Sequence, residues 1–342
     1  MLLKRLTMAN GVSGNEDEVR NIIIEEIREH VDEIKTDRLG NVIAIKKGKE
    51  GFPRVMLAAH MDEVGMIVRS IDDGGFIRFS LVGGIDERIL VSKQVLIGKD
   101  RIHGVIGAKA IHLQDKNERN TPLKIKQLYI DIGAKSKEEA EKLVKKGDYV
   151  AFDSEFIEFG GNLIKAKALD DRAGCGVLID LLKEEYDVEI YGVFTVQEEI
   201  GLRGAKVAAY NADPSFAIVF EGTLCSDISE VPEHSHITKL GKGPALSLMD
   251  SYTIFSKKLN QCIHETAVEN NIKIQYRQPS PGGNDAGEIH LTKEGIPCAA
   301  LSVPCRYIHS PSSIMSLEDF EGCKKTAKLF LKGIKKGEYV CE

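Results

Sequence analysis

Two imidazoles and a set of carboxylates stand in this sequence where a chain can build a metal centre. The stretch "VMLAAHMDEVG", residues 55 to 65, is an apolar run that stops on His60 and Asp62. Four other apolar runs end alike: "NLIKAKAL" at Asp170, "YGVFTVQ" at Glu198 and Glu199, "FAIVF" at Glu221, and "AALSVPCRYIH" at His309. Two histidines and several carboxylates exceed the four ligands of one zinc ion but suit a two-metal site in which one carboxylate bridges the ions. The expected arrangement puts His60 and Glu221 on one divalent cation, Glu199 and His309 on the other, and Asp170 across both. Glu198 is left over. A spare carboxylate beside a ligand suits a general base, which takes a proton from a water held between two cations and later delivers it to a leaving amine. Neighbours in an extended segment point different ways, so Glu199 can grip metal while Glu198 faces the water. Asp62, two residues past His60, is expected to accept the other ring N–H of that imidazole and fix its tautomer, which makes Glu198 and Asp62 the catalytic candidates.

These side chains meet only if the elements that carry them converge. In an open α/β sheet ligands bind beyond the carboxyl ends of the strands, where all five runs hand over to a histidine or a carboxylate. Residues 15 to 35 carry Val19, Ile22, Ile23, Ile27, Val31 and Ile34 at helical spacing behind acidic Glu16, Asp17 and Glu18, which predicts an amphipathic helix. "NVIAIKK" and "RVMLAAHMD" read as strands, the second almost continuously apolar, as a strand covered on both faces is. From about 66 to 161 the texture changes to short Val/Ile-rich runs between Gly and Asp, with only "SKEEAEKLVKKG" looking helical, which predicts a small β-rich insertion. Beyond it come helices at 171–185, 202–210, 256–270, a short one from 285, and 316–335. They alternate with strands "EIYGVFTVQ", "SFAIVF", "KIQYRQ" and "PCAALSVP". Such alternation predicts an α/β fold with a three-layer helix/mostly parallel sheet/helix catalytic domain. The expected division is 1–65 and 162–342 for the two parts of that domain and 66–161 for the insertion.

The whole chain narrows the choice further. At 342 residues, 42% of them apolar and 32 of them glycine, it exceeds what one compact core usually holds. A net charge of -6, with both signs interspersed, offers no basic stripe to nucleic acid or anionic lipid. "MLLKRLTMANGVSGNE" has too short an apolar run for a signal peptide, and no later segment reaches the length of a membrane span. The expectation is a soluble cytoplasmic protein with neither nucleic-acid nor membrane partners. Its seven cysteines (175, 225, 262, 298, 305, 323 and 341) are odd in number and never spaced as CxxC, which suits reduced thiols in the core.

The motifs "HMDEVG", "ALDDRAGCG", "QEEIGLRGA", "FEGT", "LGKGPAL", "GGNDAG" and "VPCRYIHSP", in this order, make the chain resemble the tetrahedral aminopeptidase family. These are dinuclear metallo-exopeptidases that include glutamyl, leucyl and lysyl aminopeptidases, and some relatives have been labelled endoglucanases. The resemblance runs from "GVSGNE" to the last helix. It implies two divalent metal ions per subunit, zinc or cobalt, at His60, Asp170, Glu199, Glu221 and His309, with Glu198 as general base and short peptides as substrates. It also implies that the insertion is a β-barrel dimerisation domain and that dimers assemble into a hollow tetrahedral dodecamer. The chain departs from the family's pattern at Glu221, where aspartate is more usual, and at Asn284 in "GGNDAG", where threonine is.

Other residues have plainer readings. Asp171 reads as a helix-start carboxylate and Glu63 as ordinary. His234 and His236 in "EHSHITK" sit in a loop with no strand end to fix them, and read as a loop near the substrate rather than a metal pair. His103, His112, His264 and His290 default to surface or packing roles. "SPGGNDAGE" is either a turn leading into a helix or, through its glycines and helix N-terminus, a site for a peptide backbone or carboxylate. Beside an aminopeptidase stand three alternatives. One is a metal-dependent deacylase or carboxypeptidase. Another is an endoglucanase, for which no tryptophan and 6% aromatic residues leave little stacking surface. The last is a peptide-binding protein lacking a ligand or the base.

Overall fold

Strands whose apolar side chains face both ways need cover on both faces, and this chain supplies it with helices. The computed structural model describes residues 1–279 and 281–337. Ser280, which opens "SPGGNDAGE", and residues 338–342, including Cys341, lie outside the described residues. Helices α1 (Leu2–Met8) and α2 (Asp17–Ile27) lead into strands β1 (Glu33–Thr36), β2 (Val42–Lys46) and β3 (Arg54–His60). Six strands follow, β4 (Gly65–Ile71), β5 (Ile77–Val82), β6 (Gln94–Ile97), β7 (Ile102–Gly107), β8 (Tyr129–Asp131) and β9 (Tyr149–Phe152), with single turns α3 (Lys116–Arg119) and α4 (Lys137–Ala140) between them. The chain returns through β10 (Ile157–Phe159), β11 (Leu163–Ala166), α5 (Leu169–Leu182), β12 (Glu189–Thr195), α6 (Arg203–Ala212), β13 (Phe216–Leu224) and β14 (Ala245–Ser247). It finishes with α7 (Lys257–Glu269), β15 (Gln275–Arg277), α8 (Ala286–Ile289), β16 (Cys298–Arg306), β17 (Ser313–Ser316) and α9 (Leu317–Gly333).

The large sheet is mixed and eleven-stranded, in the order β1-β2-β12-β3-β13-β16-β17-β11-β10, with β14 paired to β16 and β15 to β14. Its centre, β12-β3-β13-β16, is parallel, and its flanks are antiparallel. Along β3, Val55, Leu57 and Ala59 enter a core shared with α1, α2, α5 and α9, while Met56 and Ala58 enter a second core shared with α6 and α8. This two-sided demand explains the unbroken apolar run, each large aliphatic side chain contributing roughly 1.5–3 kcal/mol on burial. The α/β reading and its three layers are borne out in this arrangement. β4 to β9 close into a barrel in the order β4-β5-β8-β7-β6-β9, around a core that includes Met66, Ile77, Phe79, Val95 and Ile130. The expected insertion, 66–161, also spans β10, which pairs with β11 in the large sheet.

Two local expectations are corrected. The helix read over 15–35 stops at Ile27, and Ile34 lies in β1, opposite Ala44 of β2. Ile34 follows Ile27 by seven residues, a spacing that a strand can use as well as a helix, and pairing with β2 decides between them. "SKEEAEKLVKKG" forms only one α-helical turn, capped by the Ser136 side chain. The six described cysteines are buried and form no disulfide with one another.

Candidate metal centre

The parallel strands bring the candidate ligands to one edge. His60 is the last residue of β3 and lies level with Thr195 at the end of β12, while Glu221 sits within the neighbouring β13. Asp170 and Asp171, joined by a cis peptide bond, open α5 with non-helical backbone angles. Gly222 is required beside them, because a Cβ there would lie 2.8 Å from the Asp170 Cα and 2.9 Å from the Leu169 carbonyl oxygen. His60 Nε2 lies 3.2 Å from Asp170 Oδ1 and 3.5 Å from Glu221 Oε2. His309 Nε2 lies 3.6 Å from Asp170 Oδ2 and 3.3 Å from Glu199 Oε2. The two Asp170 oxygens thus face the two imidazoles separately. Ligand atoms of His60, Asp171 and Glu221 lie within 4.8 Å of one another, and so do those of Asp170, Glu199 and His309.

A second set of contacts sets the first. His309 Nδ1 meets the Gly84 carbonyl of the barrel at 2.8 Å, so the insertion orients one imidazole. His60 Nδ1 meets the main-chain carbonyl of Asp62 at 3.1 Å, with the Asp62 carboxylate farther off at 3.5 Å. That carboxylate is occupied elsewhere. It accepts N–H bonds from Glu198 at 3.0 Å and Glu199 at 3.1 Å, and the Ser13 hydroxyl at 2.6 Å. Asp62 therefore holds the backbone that carries two candidate groups, a duty its spacing from His60 does not reveal. Glu63, read as ordinary, is a buried hub. It accepts Lys167 Nζ at 2.6 and 2.8 Å and the Gly11 N–H at 3.0 Å, beside the wholly buried Arg172. Asp171 does cap its helix, accepting the Gly174 N–H at 2.8 Å, yet it also belongs to the first donor cluster.

A family model for the M42 glutamyl aminopeptidases matches residues 40–326, most of the described chain. The chain belongs to the M42 glutamyl aminopeptidase family. It is 46% identical over 326 residues to a protein of Acetivibrio thermocellus named as a candidate aminopeptidase, covering 95% of this chain and 96% of that one. It is 33% identical over 342 residues to the lysyl aminopeptidase of Pyrococcus furiosus, covering 98% and 97%. Among solved structures, an aminopeptidase of Desulfurococcus kamchatkensis superposes with a TM-score of 0.94 at 38% identity, covering 99% of this chain and 95% of that one. The TET1 peptidase of Pyrococcus horikoshii, described as assembling into a tetrahedron or a large octahedral shell, gives 0.86 at 35% identity, with 97% and 99% covered. A Thermotoga maritima structure titled an endoglucanase gives 0.81 at 39% identity, with 96% of each chain covered. This M42 chain is an aminopeptidase-family hydrolase, as the motifs led one to expect.

Electrostatics in the M42 site report acids crowded together and largely shielded from solvent at the foot of a cleft. Burial pushes Glu199 up to about 7 and Glu221 up to about 8, and pushes Glu198 and Asp171 well above the carboxylate range. Burial also acts on Asp170, but the His309 and His60 side chains outweigh it and hold this carboxyl down to about 2. His309 is raised to about 9 against its own burial by Asp170 and Glu199, and His60 is raised against its burial chiefly by Glu221 and Glu198. Glu221 Oε1 is buried with no hydrogen-bond partner. A donor set of this kind, rich in oxygen and short of positive charge, fits divalent cations.

The remaining candidates stay apart from it. His236 Nε2 bonds the Val231 carbonyl at 3.0 Å, His264 stacks on Tyr276 at 5.1 Å, and His290 Nδ1 meets the Ala286 carbonyl at 2.8 Å. His103 lies 3.3 Å from Asp153, and His112 and His234 are exposed. None joins a donor cluster among the described residues. Gly282, Gly283 and Asn284 line a cleft of about 490 Å³ that has His60, Asp170, Glu199, Glu221 and His309 on its walls.

Proposed function

We propose that the chain is a two-cation aminopeptidase that removes N-terminal residues from short peptides. The observation that carries this is the pair of adjacent donor clusters, linked where Asp170 Oδ1 of one lies 3.2 Å from His60 Nε2 of the other, with a further half-buried carboxylate, Glu198, on the same cleft wall. His60, Glu221 and Asp171 would hold one cation and Glu199 with His309 the other, Asp170 bridging them, with zinc or cobalt as the metals. When bound, such a pair supplies Lewis acidity toward a peptide carbonyl and lowers the pKa of water. The chain's own residues do the rest. Glu198 takes up a proton at its carboxylate and returns it to the leaving amine, and its N–H bond to Asp62 keeps the base in place. The N–H bond from Glu199 to the same carboxylate locks base and ligand to one anchor. The longer arm of Glu221, where aspartate is more usual, still comes within 3.5 Å of His60.

Names of relatives support exopeptidase activity, and the shell-forming TET1 peptidase, also described as a dodecamer, supports assembly into a homo-oligomeric shell; that the barrel makes the dimer contact is part of the same proposal. A cytoplasmic location belongs to the same reading; among the described residues no helix is long and apolar enough to cross a membrane. The endoglucanase title belongs to the Thermotoga protein. A glycosidase needs one carboxylic acid and one carboxylate set apart across a sugar, whereas Asp170, Glu221 and Glu199 here each approach an imidazole.

Glu198→Gln tests the mechanism. Turnover of aminoacyl anilides should fall by roughly 100- to 10,000-fold while elemental analysis still finds two metals per chain. Parent-level turnover in this variant would remove Glu198 as the base. Faster cleavage of N-acetylated than of free substrates would replace the aminopeptidase with a deacylase.

A further inference from the structure

His309 is presented to the site by a backbone that does not hold its shape unaided. It follows the end of β16, and both it and Tyr307 take left-handed conformations, at φ of 57° and 59°. Neither is a glycine, so each conformation persists only where its surroundings impose it. Two hydroxyls do part of this. The Tyr307 carbonyl accepts Ser310 Oγ at 2.7 Å and Ser313 Oγ at 3.1 Å.

The entry to the turn is held by Arg306, the last residue of β16. Its Nε donates to Asp227 Oδ1 at 2.7 Å, and its Nη2 donates to Asp227 Oδ2 at 2.9 Å and to the Asp227 carbonyl at 3.1 Å. This is the two-point fork that a guanidinium makes with a carboxylate and an ammonium cannot. Asp227 is fixed in its turn, because Oδ2 accepts the Leu240 N–H at 3.1 Å and Oδ1 the Cys225 thiol at 2.9 Å. Burial works against the Asp227 charge, but the Arg306 bonds outweigh it and hold this carboxyl below the usual range.

The pair also joins the two halves of the site. Asp227 lies just past β13, the strand of Glu221, and Arg306 lies just before His309. β13 and β16 are parallel neighbours whose register ends at Leu224 and Cys305. Beyond that point the Arg306–Asp227 fork continues the tie. Glu221 belongs to one donor cluster and His309 to the other, so the fork fixes the strand that carries one against the turn that carries the other.

We infer that Arg306 and Asp227 are positioning residues that hold His309 where it can bind a cation. This rests on the two-cation reading and adds to it the device that sets one donor cluster against the other. Metal binding tests it without turnover. Chelated protein is titrated calorimetrically with zinc, and the metal content after dialysis is checked by elemental analysis. The parent should take up two ions per chain, and His309→Ala identifies the binding step that depends on this imidazole.

Arg306→Gln should weaken that same step on the order of 10- to 100-fold and leave the other at its parent value. Arg306→Lys, which keeps the charge and loses the fork, should fall between, and Asp227→Asn should move in the same direction. The double variant R306Q/D227N should be no worse than R306Q alone, since the two side chains act as one unit. A clamp that merely stabilises the fold would lower the melting temperature and leave both zinc affinities unchanged. That result overturns the inference, as does equal weakening of both steps. Should R306Q not fold, the lysine and asparagine variants decide by the same comparison. A parent that binds only one zinc removes the two-cation reading and the inference with it, whereas two ions in the parent and an undisturbed His309 step in the variants remove the inference alone.

Discussion

The parallel centre of the sheet and the inserted barrel build structure from similar residues and serve the site in opposite ways. Strands β3, β13 and β16 are buried along nearly their whole length, feed two cores at once, and deliver His60 and Glu221 as side chains. Barrel strands such as β7 alternate buried and exposed positions around a single core, and reach His309 through a main-chain carbonyl, that of Gly84. A side chain at the end of an apolar run is an anomaly that any reading of residue types detects. A carbonyl has no residue type, so the barrel's share in the site left no trace in the order of amino acids.

The comparison is strained hardest behind the sheet centre. Lys167 and Glu63 are each 3% exposed on their side chains, with Nζ 2.6 Å from the carboxylate. Lys167→Met leaves a buried charge with Arg172 at 3.4 Å as its other ionic contact, and should destabilise the fold by about 3–5 kcal/mol in urea titration. Pairing it with Glu63→Leu should recover part of that loss, since no charge is then stranded. A single variant within 1 kcal/mol of the parent, roughly the size of a surface effect, would show that this network does not hold the loop after His60.

Asp62→Asn acts nearer the chemistry. An amide can accept with one oxygen only, and its NH2 group would face one of the two N–H donors, Glu198 or Glu199, now held at 3.0 and 3.1 Å. Metal affinity or kcat should drop by about 10- to 100-fold, as for other groups that orient ligands. Ser13→Ala, which removes a bond of 2.6 Å to the same carboxylate, should move in the same direction by less. Unchanged metal affinity and kcat in both variants would leave Asp62 as a loop anchor alone.

Legibility follows the same division. His60, Asp170, Glu199, Glu221 and His309 were readable because each interrupts or ends an apolar segment, and their convergence is what a sheet edge imposes. Glu63 was not, because its partners Lys167 and Arg172 lie 104 and 109 residues away, and "DE" in a loop looks like solvated surface. The carboxylate of Asp62 was assigned to the imidazole two residues back, whereas its N–H donors sit 136 and 137 residues on. Short-range spacing favours short-range partners, and burial is set by the long-range ones. The end of α2 shows the converse in backbone form, since the pattern from Val19 to Ile34 allows a helix until β2 claims Ile34.

Chelation should expose the charge imbalance at the sheet edge. In the metal-free fold Glu199 and Glu221 titrate near 7 and 8, above the 4.5 of a free glutamate, so the folded state binds their protons more tightly than the unfolded chain does. Stability tied to those protons is lost as pH rises from 4.5 through 7 and 8. His309, raised from 6.5 to about 9, contributes stability that is complete below 6.5 and fades as pH rises through 9, the same direction. The melting temperature of chelated protein should therefore fall from pH 6 to pH 8.5, about the span of those titrations. Protein reloaded with metal should show a flatter profile, because cations replace the protons. Parallel profiles with and without metal would mean the acids are not the ions' ligands.

The barrel should answer most quietly. Ile130 is fully buried where β8 meets β5 and β7, opposite Ile77 and Ile106. Ile130→Val removes one methylene and should lower stability by about 0.5–1.5 kcal/mol. The barrel touches His309 through the Gly84 carbonyl, in the loop after β5, whereas Ile130 pairs with Ile77 at the start of that strand, and softening the core there should leave that atom in place. Anilide kcat/KM at 25 °C should stay within a factor of about two of the parent, well under the tenfold that 1.4 kcal/mol represents. If kcat/KM instead falls with the stability, the packing of the barrel is coupled to the orientation of His309. The insertion would then be part of the catalytic machinery, and the contrast with the sheet would be one of degree.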